Sequence, residues 1–229
     1  MTKRVVLLHS AVGDSRQWAR QVAALRERFD VVAPDLPGFG TEPMPAQPYS
    51  PVDRVAPLLP ASLVGNSFGG VIALRTALAK PGQVERLVLV GAALPDWEWS
   101  AEIRDYWARE AELFDGGDVA AAVDLNLEFW IAPEHRDELR PQLERAFELQ
   151  STHEEPELLW PELAPLETLS VPTLVVVGDR DKDDFRRIAE RLAATIPGAR
   201  LEVIEGAGHV VGVDRPDELN RLLLEFLQD

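Results

Sequence analysis

The chain has 229 residues and a hydrophobic fraction of 46%, enough to bury one core, possibly with an inserted subdomain, and too apolar for a disordered chain. Its formal charge is −16 and no basic run opposes it, which argues against nucleic acid and anionic membrane surfaces and favours a neutral or cationic small molecule. Cysteine is absent, no apolar run reaches bilayer-spanning length and no signal peptide precedes "RVVLLHS", so disulfide and thiolate chemistry are excluded and a cytoplasmic protein is expected.

The first predicted strand covers residues 5–8 and ends at His9. A helical pattern follows over 15–28, with Trp18, Val22 and Leu25 on its apolar face. Residues 31–33 form the second strand. The link over 49–60 is short. A third strand at 62–64 runs into "GNSFGG", and a helix over 71–79 leads to a fourth strand at 87–90. The strands are nearly continuous in Val and Leu, as expected when helices cover both faces of a parallel sheet. From 95 to 169 the alternation stops. This stretch contains no strand-like run, is punctuated at Gly116, Gly117, Pro133 and Pro156, and holds Trp97, Trp99, Trp107, Trp130 and Trp160, five of the six tryptophans. It reads as a helical cap. A fifth strand at 173–177, a helix over 184–196, a sixth strand at 201–204 and a helix over 216–227 complete the chain. The fold class is α/β: a doubly wound, mostly parallel sheet of about six strands, with its core at 1–95 and 170–229 and a cap insertion at 96–169.

Within "GNSFGG", Ser67 stands at the end of a strand and the start of a helix. Such a turn needs strained backbone and close chain approach, hence glycine on both sides. A helix start also presents free N–H groups and a partial positive charge to an anion formed beside Ser67. A serine hydroxyl needs a base to become a nucleophile, and the base needs an orienting carboxylate. Of the four histidines, His135 and His153 lie in the cap; His135 reads as a surface residue and His9 as a hydrogen-bonded strand end. His209, in "GAGHV" after the sixth strand, falls on the same sheet edge as Ser67. Between them "VVVGDRDKDDF" supplies four aspartates. The order is Ser, Asp, His. No histidine spacing suggests a catalytic metal, and no glycine-rich loop matches a phosphate or dinucleotide site, so no cofactor is expected.

On these motifs the chain resembles the α/β-hydrolase superfamily over nearly its whole length. The resemblance implies Ser67 as nucleophile, in the Gly-x-Ser-x-Gly of Gly65–Gly69, His209 as base and Asp181 as acid, from the Gly-x-x-Asp of Gly178–Asp181. Asp179, Asp183 and Asp96 compete for that last role. It also implies an oxyanion hole from the backbone N–H groups of Phe68 and Ala11, with Ser10 standing where relatives carry glycine. "DLPGFG" matches a family turn in which Asp35 is structural. The two N-terminal strands of larger relatives are missing, and the helix before the nucleophile strand is expected to be stunted. Ser10, Trp97, Trp107 and Trp130 are the expected substrate contacts. The implied activity is hydrolysis of a small, largely apolar carboxylic ester or lactone through an acyl-enzyme. The alternatives are carbon–carbon bond hydrolysis, perhydrolysis, a lyase or cyclase step, or ligand binding with little turnover.

Overall fold

A computed structural model describes residues 2–152 and 156–228; His153 lies outside them. The elements are β1 (Arg4–Leu8), α1 (Ala19–Leu25), β2 (Asp30–Val32), α2 (Pro51–Val55), β3 (Ala61–Asn66), α3 (Phe68–Ala79), β4 (Val84–Val90), α4 (Ala101–Asp115), α5 (Val119–Trp130), α6 (Arg136–Gln150), β5 (Thr173–Gly178), α7 (Asp183–Thr195), β6 (Arg200–Ile204), α8 (Val211–Asp214) and α9 (Pro216–Gln228). The six strands form one parallel sheet in the order β2-β1-β3-β4-β5-β6. Parallel neighbours cannot be joined by a tight hairpin, so helices carry the chain back across the faces.

Alternation along the strands sorts the core. Val6, Leu8, Leu63, Leu87, Leu89 and Val175 pack on one face with residues of α3 and α7. Val5, Leu7, Val64, Val88, Val90 and Val176 pack on the other, against α1 and α9. Successive strand side chains point to opposite faces, and along the central strands β1, β3, β4 and β5 both faces are largely buried. Fully burying a Leu or Val side chain contributes about 1.5–3 kcal/mol, so this double burial is the largest favourable contribution to the sheet.

Between β4 and β5 stand α4, α5 and α6, the first two starting on a side-chain cap. The Ser100 side chain accepts from Ile103 N and opens α4. Asp118 does the same for α5 through Ala121 N. Their apolar stripes meet in a third cluster, which includes Ile103, Leu127, Trp130, Leu143 and Phe147 together with Val12, Phe185 and Val210 of the sheet body. No described helix is long and apolar enough to cross a membrane.

Two local differences from the sequence expectation have identifiable causes. The expected helix over 15–28 is a 3-10 turn at Ser15–Trp18 followed by α1, which stops at Leu25. Arg28 N and Phe29 N both donate to Leu25 O, turning the chain so that β2 can begin at Asp30. The helix expected from residue 71 starts at Phe68, because Val71 N already donates to Ser67 O at 3.1 Å. The link before β3 does hold only a stunted helix, the five-residue α2.

Candidate active site

Ser67 connects β3 to α3 with φ 52° and ψ −112°, a left-handed conformation that a residue with a side chain adopts at a cost of about 1–3 kcal/mol. Its neighbours explain how it persists. A Cβ on Gly65 would sit 2.2 Å from Gly69 O, and one on Gly69 would sit 2.2 Å from Leu8 O. Only glycine allows β1, the turn and α3 to approach this closely. Ser67 N donates to Val90 O at 3.0 Å and Gly69 N to His9 O at 3.1 Å, so the turn is tied to both neighbouring strands. A serine preceding a helix normally caps it with its hydroxyl. Ser67 makes no such bond, so its Oγ is not engaged by the helix start.

His209 follows β6 in a loop that returns to the same edge of the sheet. Its Nδ1 lies 3.0 Å from Asp181 Oδ1 and 3.1 Å from Oδ2. Both residues are buried. Against the carboxylate Nδ1 carries the proton, which leaves Nε2 as the basic nitrogen. Lys182 N also donates to Asp181 Oδ1, at 2.8 Å. The imidazole packs against Phe185 and Trp130, with ring centroids 4.4 and 4.6 Å away. The competing carboxylates are occupied elsewhere. Asp179 Oδ1 accepts from Gly206 N at 2.6 Å, Asp183 pairs with Arg186 on the surface, and Asp96 is exposed.

The loop, the turn and the histidine are joined by a buried polar chain. Asn66 Nδ2 donates to His209 O at 3.2 Å and to Val90 O at 2.9 Å. Asn66 Oδ1 accepts from Gln17 Nε2 at 3.2 Å. Gln17 Oε1 in turn accepts from Ser10 N at 3.0 Å and from the Ser10 hydroxyl at 2.8 Å. Asp14 N reaches the cap at Gln142 Oε1, 3.0 Å away. The residue preceding Ser67 therefore grips the His209 backbone, and Gln17 fixes the loop after β1. Among the described residues no hydrogen bond joins Ser67 Oγ to the His209 ring.

Phe68 N opens α3 and has no intrahelical acceptor. Ala11 N likewise has no backbone acceptor among the described residues. Both residues line a cavity of about 960 Å³ beneath the cap, together with Phe39, Tyr49, Trp107 and Phe114. Of the four expected substrate contacts, Trp107 lines this cavity and the other three do not. Ser10 is fully buried with its hydroxyl on Gln17. Trp97 Nε1 donates to Asp184 Oδ1 at 2.8 Å, which pulls its ring toward α7. Trp130 is buried, with its ring against that of His209. The sequence reading missed Gln17, Gln142, Glu110 and Phe114. For the last two a signal existed: they follow Trp107 at helical spacing, three and seven residues on.

Several other titratable groups serve the fold. His9 is fully buried; burial lowers its basicity, and the neutral ring donates from Nδ1 to Ser10 O while Nε2 accepts from Leu36 N at 2.9 Å. Asp35 binds Ser15 N and the Thr41 N–H and hydroxyl; burial disfavours its charge, but these donors outweigh that and hold its carboxyl below the usual range. Asp184 behaves alike: bonds from Ser100 and Trp97 overcome burial. Asp214, by contrast, is raised by burial, against the bond it receives from Gly208 N. His135 is not a free surface residue. Its Nε2 lies 3.8 Å from Asp214 Oδ1 with its side chain 21% exposed.

Comparison with known proteins identifies the family. The chain is 26% identical to the carboxylesterase YbfK of Bacillus subtilis, over 97% of this chain and 79% of that protein. It is 30% identical to a pimeloyl-[acyl-carrier protein] methyl ester esterase of Chromobacterium violaceum, over 98% of this chain and 94% of that one. The crystal structure of a hydrolase from Pseudomonas aeruginosa superimposes with a TM-score of 0.80 at 25% identity, covering 100% of this chain and 91% of the other. The profile described as "Alpha/beta hydrolase family" matches residues 5–222. The chain is a member of the alpha/beta hydrolase family of enzymes.

Proposed function

We propose that this hydrolase cleaves small, largely apolar carboxylic esters or lactones through Ser67, His209 and Asp181. His209 Nε2 accepts the Ser67 proton as Oγ attacks the carbonyl carbon. Asp181 fixes the imidazole tautomer and stabilises its charged form. The N–H groups of Ala11 and Phe68 receive the oxyanion, a contribution of about 3–4 kcal/mol for a good donor. Collapse breaks the bond to the alcohol, which leaves with the proton from His209. Water activated by the same imidazole then attacks the acyl-enzyme and releases the acid. The hydrogen bond from Ser67 to His209 forms when substrate arrives, the stage at which catalytic hydrogen bonds tighten.

The observation that carries this reading is a strained serine whose hydroxyl does not cap its own helix, one residue from the asparagine that holds the backbone of a buried, carboxylate-bound histidine. The resemblance to carboxylic ester hydrolases agrees with it. The test is a panel of short-chain para-nitrophenyl esters and γ-lactones assayed with wild type and Ser67→Ala. Wild type is expected to turn over at least the short esters, and the variant to lose at least about 10³-fold in kcat. Turnover of none of them, or turnover that survives in Ser67→Ala, rejects the proposal.

A further inference from the structure

One carboxylate on the cavity wall has no part in this chemistry. Trp107, Glu110, Ala111 and Phe114 form the stripe that α4 turns to the cavity. Glu110 Oε1 accepts from Asn126 Nδ2 at 2.6 Å and lies 3.0 Å from the Tyr106 hydroxyl. That hydroxyl also reaches Asn126 Oδ1 at 2.7 Å, and Asn126 Nδ2 is held in addition by Ala122 O at 3.0 Å. Tyr106 and Asn126 are buried, so the pair is a fixed cradle. Burial, reinforced by the charge of Glu110, raises the Tyr106 phenol and keeps it a donor. Asn126 Nδ2 donates to Oε1, the single Tyr106 proton is shared between Oε1 and Asn126 Oδ1, and Oε2 has no hydrogen-bond partner among the described residues.

The rest of the wall has the same sign. No Lys, Arg or His is among the described residues that line the cavity, and Asp115 adds a second carboxylate. The wall also carries Phe39, Phe68 and Phe114, and an aromatic ring is better disposed to a cation than to an anion. A carboxylate locked in place loses little side-chain entropy when it pairs, unlike a free surface glutamate.

We infer that the cavity is a subsite for an ammonium group carried by the substrate, which pairs with Glu110 Oε2. This rests on the reading of the site as an ester hydrolase and specifies which esters it prefers. A substrate with an anionic tail meets repulsion on the same wall.

Matched esters test this, with the charge on the acyl or on the alcohol side. The acyl pair is methyl ε-aminocaproate against methyl heptanoate; the alcohol pair is the acetates of aminohexanol and heptanol. The cationic member of at least one pair is expected to have a kcat/KM higher by roughly tenfold, as for a hydrogen bond to a charged group. Glu110→Gln, which keeps the acceptor on Tyr106 and Asn126, is expected to collapse that ratio. Raised salt is expected to reduce it in wild type. Equal or better turnover of both neutral members, or a preference that survives Glu110→Gln, overturns the inference while the hydrolase reading stands. If no ester is turned over, the hydrolase reading fails, and calorimetric binding to the Ser67→Ala variant decides the subsite. Tighter binding of a cationic ester supports it, and equal binding within both pairs rejects it.

Discussion

At the scale of the residue, the arrangement around His209 separates aspartates that lie side by side in sequence. Asp181 and Asp179 both follow β5, yet one meets an imidazole nitrogen and the other a backbone N–H. Their variants should differ accordingly. Asp181→Asn is expected to reduce kcat by about 10³–10⁴, because the amide can hold the wrong tautomer. Asp179→Asn keeps an acceptor for Gly206 N and is expected to lower the thermal midpoint with a much smaller change in kcat. Steady-state kinetics beside thermal unfolding of both variants distinguishes them, and a reversed order contradicts the assignment. The likeness of "GDRD" to a family motif pointed to Asp181, but nothing in the residues themselves excluded Asp179. The choice is made by a loop that returns from β6, a long-range contact with no local signature.

At the scale of the element, the strand-to-helix turn is held from two sides. Glycine at 65 and 69 lets the chains approach, and Gln17 and Asn66 fix the neighbouring loops. Gly65→Ala places a methyl against backbone, which cannot move aside. It is expected to abolish activity and lower the thermal midpoint, and a folded, fully active variant would contradict the geometry. Gln17→Leu leaves Ser10 N, the Ser10 hydroxyl and Asn66 Oδ1 without their partner, at about 1–3 kcal/mol for each buried group left unsatisfied. Unfolding in urea measures that loss, and a fall in kcat at unchanged KM marks displacement of the donor loop. The sheet strands were legible in sequence because dry burial on both faces demands unbroken Val and Leu. The cap was legible only as helices. Amphipathic spacing shows that a helix has an apolar face; which ring meets the cavity depends on how the helices pack. So Trp107 reaches the cavity, while Trp97 and Trp130 turn to Asp184 and His209. Gln17 could not be singled out either, since a polar residue at a helix start is usually solvated.

For the whole molecule, acid stability follows from two carboxylates that take no part in the proposed chemistry. Asp35 clamps the loop after β2 to Ser15, and Asp184 ties α7 to the start of the cap. Both have folded values below the usual 3.8. A depressed value means that folding favours the charged form, so their contribution is present above that pH and is lost as pH falls through the folded value. Asp214, raised by burial, acts in the opposite sense and is relieved by protonation. The thermal midpoint of wild type is therefore expected to drop more between pH 6 and about pH 3 than that of Asp35→Asn/Asp184→Asn. Equal slopes would show that these carboxylates are not charged partners in the fold.

The same scale holds the central claim, the proposed meeting of Ser67, Asp181 and His209: they follow β3, β5 and β6 and share one sheet edge only once the sheet has formed. Mass spectrometry after treatment with a fluorophosphonate measures that meeting most directly. The account predicts one adduct per chain, on the peptide bearing Ser67, with labelling lost in His209→Ala although that variant remains folded by circular dichroism. An unmodified Ser67 in folded wild type, or labelling of Ser67 that proceeds equally fast without the imidazole, would contradict it.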